Sequence, residues 1–229
     1  MNNIEIKNLN LKLGNSDILN NISFDIIAGK ITGFIGNNGA GKTSLIKCLT
    51  SFYRNYDGSI KINNQDLKTI HISYITDSPV YYEELTFGEH IEFISAINES
   101  KELIDYYIDL FEVRRYLNHF PSELSKGTLQ KMMIILALLR NKELLIADEP
   151  FTGLDPSQLD VFKSELISLR NKGCAILISS HQLSLIDEIC DNFVFIKEGQ
   201  VVYASDKSAK DNNTYDLYRK YFGKWYVCE

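Results

Sequence analysis

Apolar and polar positions alternate in three short segments early in the chain: Ile4-Glu5-Ile6-Lys7, Ile22-Ser23-Phe24-Asp25-Ile26 and Ser59-Ile60-Lys61-Ile62. A period of two sends successive side chains to opposite faces, so these segments predict half-exposed strands of a small N-terminal antiparallel β-layer, the last ending in a turn at Asn63-Asn64. Three later runs are apolar without alternation: Ile31-Thr32-Gly33-Phe34-Ile35, Leu144-Leu145-Ile146-Ala147 and Ala175-Ile176-Leu177-Ile178-Ser179. Each precedes a helix-like stretch, which is the pattern of strands covered on both faces in a mainly parallel sheet. From Glu89 to about Arg140, apolar residues such as Ile91, Ile94 and Ile97, then Leu103, Tyr107, Leu110 and Phe111, recur at helical spacing. The expected fold class is therefore α/β, with a helical subdomain over about 78–140 inserted in the core, all within one domain spanning 1–229. A tail over about 207–229 carries Tyr215, Tyr218, Tyr221, Phe222, Trp225 and Tyr226 at near-helical spacing, which suits either a packed terminal helix or a docking surface.

Composition narrows the partners. With 229 residues and 45% hydrophobic side chains the chain is long enough for a sizeable core and too polar for an integral membrane protein. Its longest apolar run, Met132–Leu139, falls well short of the roughly 18 residues that cross a bilayer, and the start Met1-Asn2-Asn3-Ile4-Glu5 does not read as a secretory signal. A net charge of −6, from 24 Lys+Arg against 30 Asp+Glu, provides no overall positive field, so no nucleic-acid partner is expected. The cysteines Cys48, Cys174, Cys190 and Cys228 are far apart and include no Cys-x-x-Cys pair, which fits buried thiols in a reducing compartment rather than a disulfide or zinc framework. Only 4 prolines and 13 glycines, with no Pro-rich linker, leave no obvious hinge between autonomous units.

The chemistry begins at Gly36-Asn37-Asn38-Gly39-Ala40-Gly41-Lys42-Thr43, which matches G-x-x-x-x-G-K-[ST] directly after a buried-strand pattern and before a helix-like stretch from Lys42 to about Leu49. Glycines let backbone N–H groups curl round phosphate oxygens, the helix N-terminus adds its dipole, Lys42 reaches the β and γ phosphates, and the Thr43 hydroxyl can ligate Mg²⁺. Asp148 and Glu149 close the second apolar run, so two carboxylates emerge at the carboxyl end of a buried strand, where open α/β sheets bind ligands. In that place Asp148 suits a metal ion, through its waters, and Glu149 suits the polarisation of an attacking water.

With these residues in hand, the chain resembles the ATP-binding subunits of ABC transporters over about residues 3–205, and the pair Asp148-Glu149 looks like their Walker B motif. Leu124-Ser125-Lys126-Gly127-Thr128 resembles the family's signature loop, Gly153-Leu154-Asp155-Pro156 its D-loop, and His181 after Ser179-Ser180 its switch histidine. The resemblance implies a P-loop ATPase core and a Mg²⁺-dependent ATPase. It also implies a nucleotide sandwich: ATP held between the phosphate loop of one subunit and the signature loop of another. In it Ser125 and the Gly127 backbone face the partner's γ-phosphate, while in the chain's own site His181 grips the γ-phosphate and orients the water with Glu149, Asp155 links the two sites and Ser44 supports the phosphates beside Thr43. The implied partners are a second copy or a related ATPase subunit when ATP is bound, and a separate integral membrane permease. The implied location is the cytoplasmic face of the cell membrane.

Three deviations from the family pattern, at four positions, are visible. Asp77, in the segment Ile72–Asp77 read as a loop, stands where the family has a glutamine; it is either a metal and coupling residue or a plain loop acid. Lys126 and Thr128 alter the signature loop, and Lys126 resembles exporter branches that handle peptides or antibiotics, or is a solvated side chain. Leu13 stands where the family usually offers adenine an aromatic ring, so weaker or less selective base binding is expected. The stretch Ser78–Ile91 resembles the permease-facing segment of type-2, Ecs-like exporters, and also reads as an ordinary helix start with Thr86 as N-cap. The expected function is thus the ATPase subunit of a transporter, with export favoured. Two other classes stay open: a non-transport ABC ATPase acting on a soluble macromolecular partner, which needs a coiled-coil insertion or a second cassette, and a P-loop kinase, which leaves the signature loop and His181 without a role.

Overall fold

In the computed structural model, which describes residues 3–62, 65–66, 71–206 and 214–223, the alternating segments pair as expected. Strands β1 (Ile4–Leu13) and β2 (Ser16–Ile26) form an antiparallel hairpin, β4 (Asp57–Ile62) pairs on the other side of β1, and β5 (Gln65–Asp66) completes a sheet of order β2-β1-β4-β5. The register sets Ile4 opposite both Ile26 and Ile62, and Ile6 opposite both Phe24 and Ile60, so one face is uniformly apolar and buried. The Asn63-Asn64 turn lies outside the described residues.

The second sheet has the order β10-β9-β3-β8-β7-β6, with β3 (Ile31–Ile35), β6 (Ile72–Ile75), β7 (Leu144–Asp148), β8 (Ala175–Ser179), β9 (Asn192–Lys197) and β10 (Gln200–Asp206). Its pairs are parallel except β9 with β10. The unalternating runs are explained by two cores, one on each face. Leu145, Ala147, Ile176 and Ile178 enter the core shared with the helices. Leu144, Ile146, Leu177 and Phe34 enter the core under the antiparallel layer and α1 (Lys42–Leu49).

The helical region differs in detail from its expected course. Helix α2 runs over Phe87–Asn98, beginning before Glu89 because Thr86 and Glu89 form a reciprocal capping box. After α3 (Ile104–Leu110) the chain is irregular, with short 3₁₀ turns at Arg114–Tyr116 and Pro121–Glu123, until α4 (Lys126–Leu138). The long apolar run Met132–Leu139 forms the second half of this helix and its C-cap and is buried throughout, whereas Lys126 at the helix start is exposed. The segment Ile72–Asp77 is not all loop: its first four residues are the edge strand β6, which leaves Asp77 just past a strand end. Helices α5 (Pro156–Asn171), α6 (Leu183–Ile189) and α7 (Thr214–Phe222) follow. The tail's aromatic residues up to Phe222 thus belong to a helix, with Leu217 and Tyr218 buried, while Trp225 and Tyr226 lie outside the described residues. Cys48, Cys174 and Cys190 are buried free thiols, and Cys228 lies outside the described residues.

Candidate functional site

The carboxyl ends of β3, β6, β7 and β8 converge on one edge of the parallel sheet. The segment after β3 is the glycine-rich loop. Gly36 is required there by contact: a Cβ would lie 2.5 Å from the carbonyl oxygen of Ile196 on β9. Gly41 caps α1 in the left-handed region at φ 107° without a side-chain cap, so the first N–H groups of α1 are left to a ligand. Lys42 is buried and folds back along the loop, its Nζ donating to the carbonyls of Gly36 and, at 3.3 Å, Asn37. Burial lowers its pKa, while Glu149 and Asp148 pull it back up.

Two carboxylates face that lysine from the end of β7. Asp148 is buried, and desolvation raises its pKa even though Ser179 Oγ donates to its Oδ1. Glu149 sits at φ 47°, a region that residues with a Cβ seldom adopt. Its N–H is held there by Ser179, through the backbone oxygen at 3.1 Å and Oγ at 3.2 Å. The resulting turn aims the carboxylate at the segment after β8. Oε2 accepts from the His181 N–H at 3.2 Å, while Oε1 lies 3.3 Å from His181 Nε2 but accepts no hydrogen bond.

These groups line one cleft of about 660 Å³, formed by Ile18, Asn37, Asn38, Gly39, Gly41, Lys42, Thr43, Ser44, Asp77, Asp148, Glu149, Thr152 and His181. Most residues expected at the phosphates are therefore together. Gly36 and Ala40 serve as framework: the Gly36 carbonyl accepts from Lys42, and the Ala40 carbonyl accepts at 2.9 Å from Gly199, in the turn between β9 and β10. Leu13 is not in the lining: it ends β1 opposite Ser16, partly exposed, and Ile18 supplies the aliphatic wall. Ile18, Thr152 and Ser179 have no role legible in the sequence: Ile18 is one strand isoleucine among several, Thr152 falls between the Asp148-Glu149 pair and Gly153–Pro156, and Ser179 reads only as the strand end before His181.

Leu124, Ser125, Lys126, Gly127, Thr128 and Asp155 also stand outside the cleft of their own chain. Ser125 caps α4 by accepting from Thr128 N–H at 3.2 Å, and Asp155 caps α5 by accepting from Gln158 N–H at 2.9 Å. The two caps are packed together. A Cβ on Gly127 would lie 2.5 Å from the Gly153 oxygen, and Gln130 Nε2 donates to the Pro150 carbonyl at 2.9 Å. The start of α4 is thereby tied to the segment that leaves Glu149.

Among the described residues no three His, Cys, Asp or Glu side chains form an all-protein metal cluster. Thr43, Asp148 and Asp77 instead offer hard oxygens from three walls of the cleft, a donor set that fits Mg²⁺, which binds with one or two carboxylates and completes its shell with phosphate and water.

Comparison with known proteins agrees with this architecture. The family model described as "ABC transporter" matches residues 19–152. The ABC-type transporter ATP-binding protein EcsA of Bacillus subtilis is 33% identical over 209 residues, covering 86% of this chain and 85% of the relative. The SkfA peptide export ATP-binding protein SkfE of the same organism is 29% identical over 208 residues, covering 87% of each. A solved ATP-binding subunit of an ABC transporter superposes with a TM-score of 0.86 at 30% identity, covering 95% of this chain and 98% of its own.

Proposed function

The chain belongs to the ABC transporter family, as an ATP-binding subunit that hydrolyses ATP to drive transport, and from that premise we propose how its own residues do so. One observation carries the assignment. A single cleft gathers the phosphate loop, Asp148, Glu149 and His181, while Leu124–Thr128 stands outside it, so the chain holds half of each of two sites.

The loop amides and the open start of α1 receive the phosphates of ATP. Lys42 exchanges its bonds to Gly36 and Asn37 for the β and γ phosphates, with Thr43 and Ser44 beside it. Thr43, Asp148 and Asp77 would hold Mg²⁺, which would neutralise phosphate charge when bound. Glu149 takes the proton of the attacking water, and His181, whose Nε2 lies 3.3 Å from Glu149 Oε1, orients that water against the γ-phosphate. Leu124, Ser125, Lys126, Gly127 and Thr128 of a second subunit close the cleft from the opposite side, and Asp155 lies at the seam. That second subunit is another copy of this chain or a related ATPase subunit. ATP favours the closed pair, and loss of the γ-phosphate lets it open.

Among the described residues no helix is long and apolar enough to cross a membrane; membership of the transporter family supports a peripheral subunit working with a separate permease at the cytoplasmic face. An apolar groove of about 380 Å³ supports the docking place: Tyr74, Val80, Tyr82, Phe93, Ile94 and Leu136 line it, with Val80 69% and Tyr82 59% exposed. The groove adjoins Asp77 in sequence through Thr76, so permease contact and cleft share one loop. Export is the favoured direction, with a peptide or antibiotic as cargo. It rests on Lys126, on the Ser78–Ile91 segment, and on similarity to a subunit named for peptide export.

The test is affinity purification of the tagged chain from gently solubilised membranes of its native host, with mass spectrometry of what accompanies it. An integral membrane protein in stoichiometric amount is expected. Recovery of only ribosomes, DNA or soluble proteins, with known membrane complexes intact in the same detergent, overturns the assignment of the permease partner.

A further inference from the structure

Three glycines make the phosphate loop conformationally permissive, and its shape depends on tethers from outside. One is the bond from Gly199 N–H to the Ala40 carbonyl at 2.9 Å. The other comes from the last described helix: Tyr218 Oη on α7 donates to Asn37 Oδ1 at 2.8 Å, across 181 positions of sequence. Asn37 is the pivot of the loop. Its main-chain oxygen accepts from Ala40 N–H at 3.1 Å, which closes the turn, and from Lys42 Nζ at 3.3 Å, which sets the direction of the lysine.

Helix α7 is braced well enough to act as an anchor. Thr214 Oγ1 at its start donates to Asp187 on α6, the helix that follows His181. At its other end Tyr218 stacks on Phe222 with ring centroids 4.6 Å apart, and Phe222 packs at 5.8 Å against Phe195 of β9. The helix thus bridges the two loops that grip the phosphates, one through Asn37 and the other through α6. Tyr218 does not line the nucleotide cleft. It lines a neighbouring pocket with His181, Tyr215 and Arg219. Burial raises its phenol pKa, so the hydroxyl remains a donor at neutral pH.

We propose that Tyr218 is a positioning residue for nucleotide binding: its hydrogen bond to Asn37 holds the phosphate loop in the shape that aims Lys42, so α7 sets ATP affinity from outside the cleft. This rests on the assignment of ATP to that cleft. Tyr218→Phe keeps the ring and its stacking and removes only the donor. It raises the Kd and KM for Mg-ATP about 3- to 10-fold, the worth of one ordinary hydrogen bond, and leaves kcat within about twofold, because the contact is the same in ground and transition states.

The experiment measures ATP binding by titration calorimetry and steady-state hydrolysis on the full chain, for wild type, Tyr218→Phe, Asn37→Ala and the double variant, with Lys42→Ala alongside. In the double variant the two effects do not add, since either change removes the same bond. An unchanged Kd in Tyr218→Phe overturns the inference, as does full additivity or a drop in kcat at constant KM, which would mark a loss of folded enzyme. If Lys42→Ala binds ATP as the wild type does, the cleft assignment itself fails. If Lys42→Ala loses ATP while Tyr218→Phe does not, only the role of Tyr218 falls.

Discussion

Ser179 orients both carboxylates at once, donating to Asp148 and receiving the Glu149 N–H, so its hydroxyl stands behind the proposed metal ligand and the proposed base together. Ser179→Ala should lower kcat by about 10-fold or more, the usual cost of freeing a group that orients a ligating one, with ATP affinity far less affected. Equal losses in Kd and kcat would mean that Ser179 acts on binding instead. Asp148 gives a pH prediction. Its folded pKa lies above the ordinary 3.8 because burial opposes its charge. The folded state therefore holds its proton more tightly than the unfolded state, and stability falls as pH rises from the ordinary value through the folded one. Asp148→Asn should raise the melting temperature of the nucleotide-free protein at pH 7, by about 2–4 °C for each kcal/mol relieved, while abolishing hydrolysis. Thermal melts down to pH of about 3.5 check the cause, since the gain should vanish where Asp148 is protonated in both states. Leu13→Tyr should tighten ATP binding if adenine stacks beside the β1–β2 turn, by up to about 1–3 kcal/mol. An unchanged Kd, with Ile18→Ala weakening it, would put adenine against Ile18. Phosphate-loop residues and both carboxylates were legible because their spacing is the chemistry. Ser179 and Ile18 were not, since a strand-end serine and a strand isoleucine carry no local signature.

At the level of elements, the sequence exposes what obeys one period and hides what depends on neighbours. Strands β3, β7 and β8 were legible as apolar runs because both their faces are buried. The edge strand β6 reads as polar-flanked and loop-like because only β7 pairs with it. The break between α3 and α4 also escaped the periodic pattern: Phe111, Val113 and Pro121 are buried from irregular backbone, so apolar spacing alone suggests helix where there are only short turns. The contact between the start of α4 and the segment after β7 is the element-scale feature on which the proposed function turns. Gly127→Ala places a methyl 2.5 Å from the Gly153 oxygen, and neither backbone can yield without shifting α4 or the α5 cap. This overpacking should cost about 1–3 kcal/mol in urea unfolding. It should also abolish hydrolysis while the isolated chain still binds ATP, because the phosphate loop lies elsewhere. Loss of ATP binding in a folded Gly127→Ala chain would show that the signature segment belongs to the chain's own cleft.

For the whole molecule, the decisive fact is that the cleft is closed by nothing from its own signature segment, so hydrolysis and assembly should rise and fall together. On the proposed reading, a chain that carries both halves in separate places satisfies them by twofold symmetry, each copy giving Leu124–Thr128 to the other's phosphate loop. Two such sites would share one interface, so ATP would act as the cement of the dimer, and the base that removes the γ-phosphate would also dissolve it. Glu149→Gln separates these roles. The amide cannot take the water's proton, yet it fills the same volume in a turn that Ser179 holds through the backbone N–H, which the substitution leaves in place. With saturating Mg-ATP the variant should scatter light at twice the monomer mass of 26.2 kDa and return to monomer when ATP is removed, whereas wild type should cycle and average lower. Adding Lys42→Ala to Glu149→Gln should abolish the dimer, because the nucleotide is then no longer held to join the halves. A Glu149→Gln chain that binds ATP at wild-type affinity and stays monomeric would leave the signature segment without a homologous partner. The second half-site would then have to come from a related but different ATPase subunit, which titration of the variant with candidate subunits would reveal as a heterodimer.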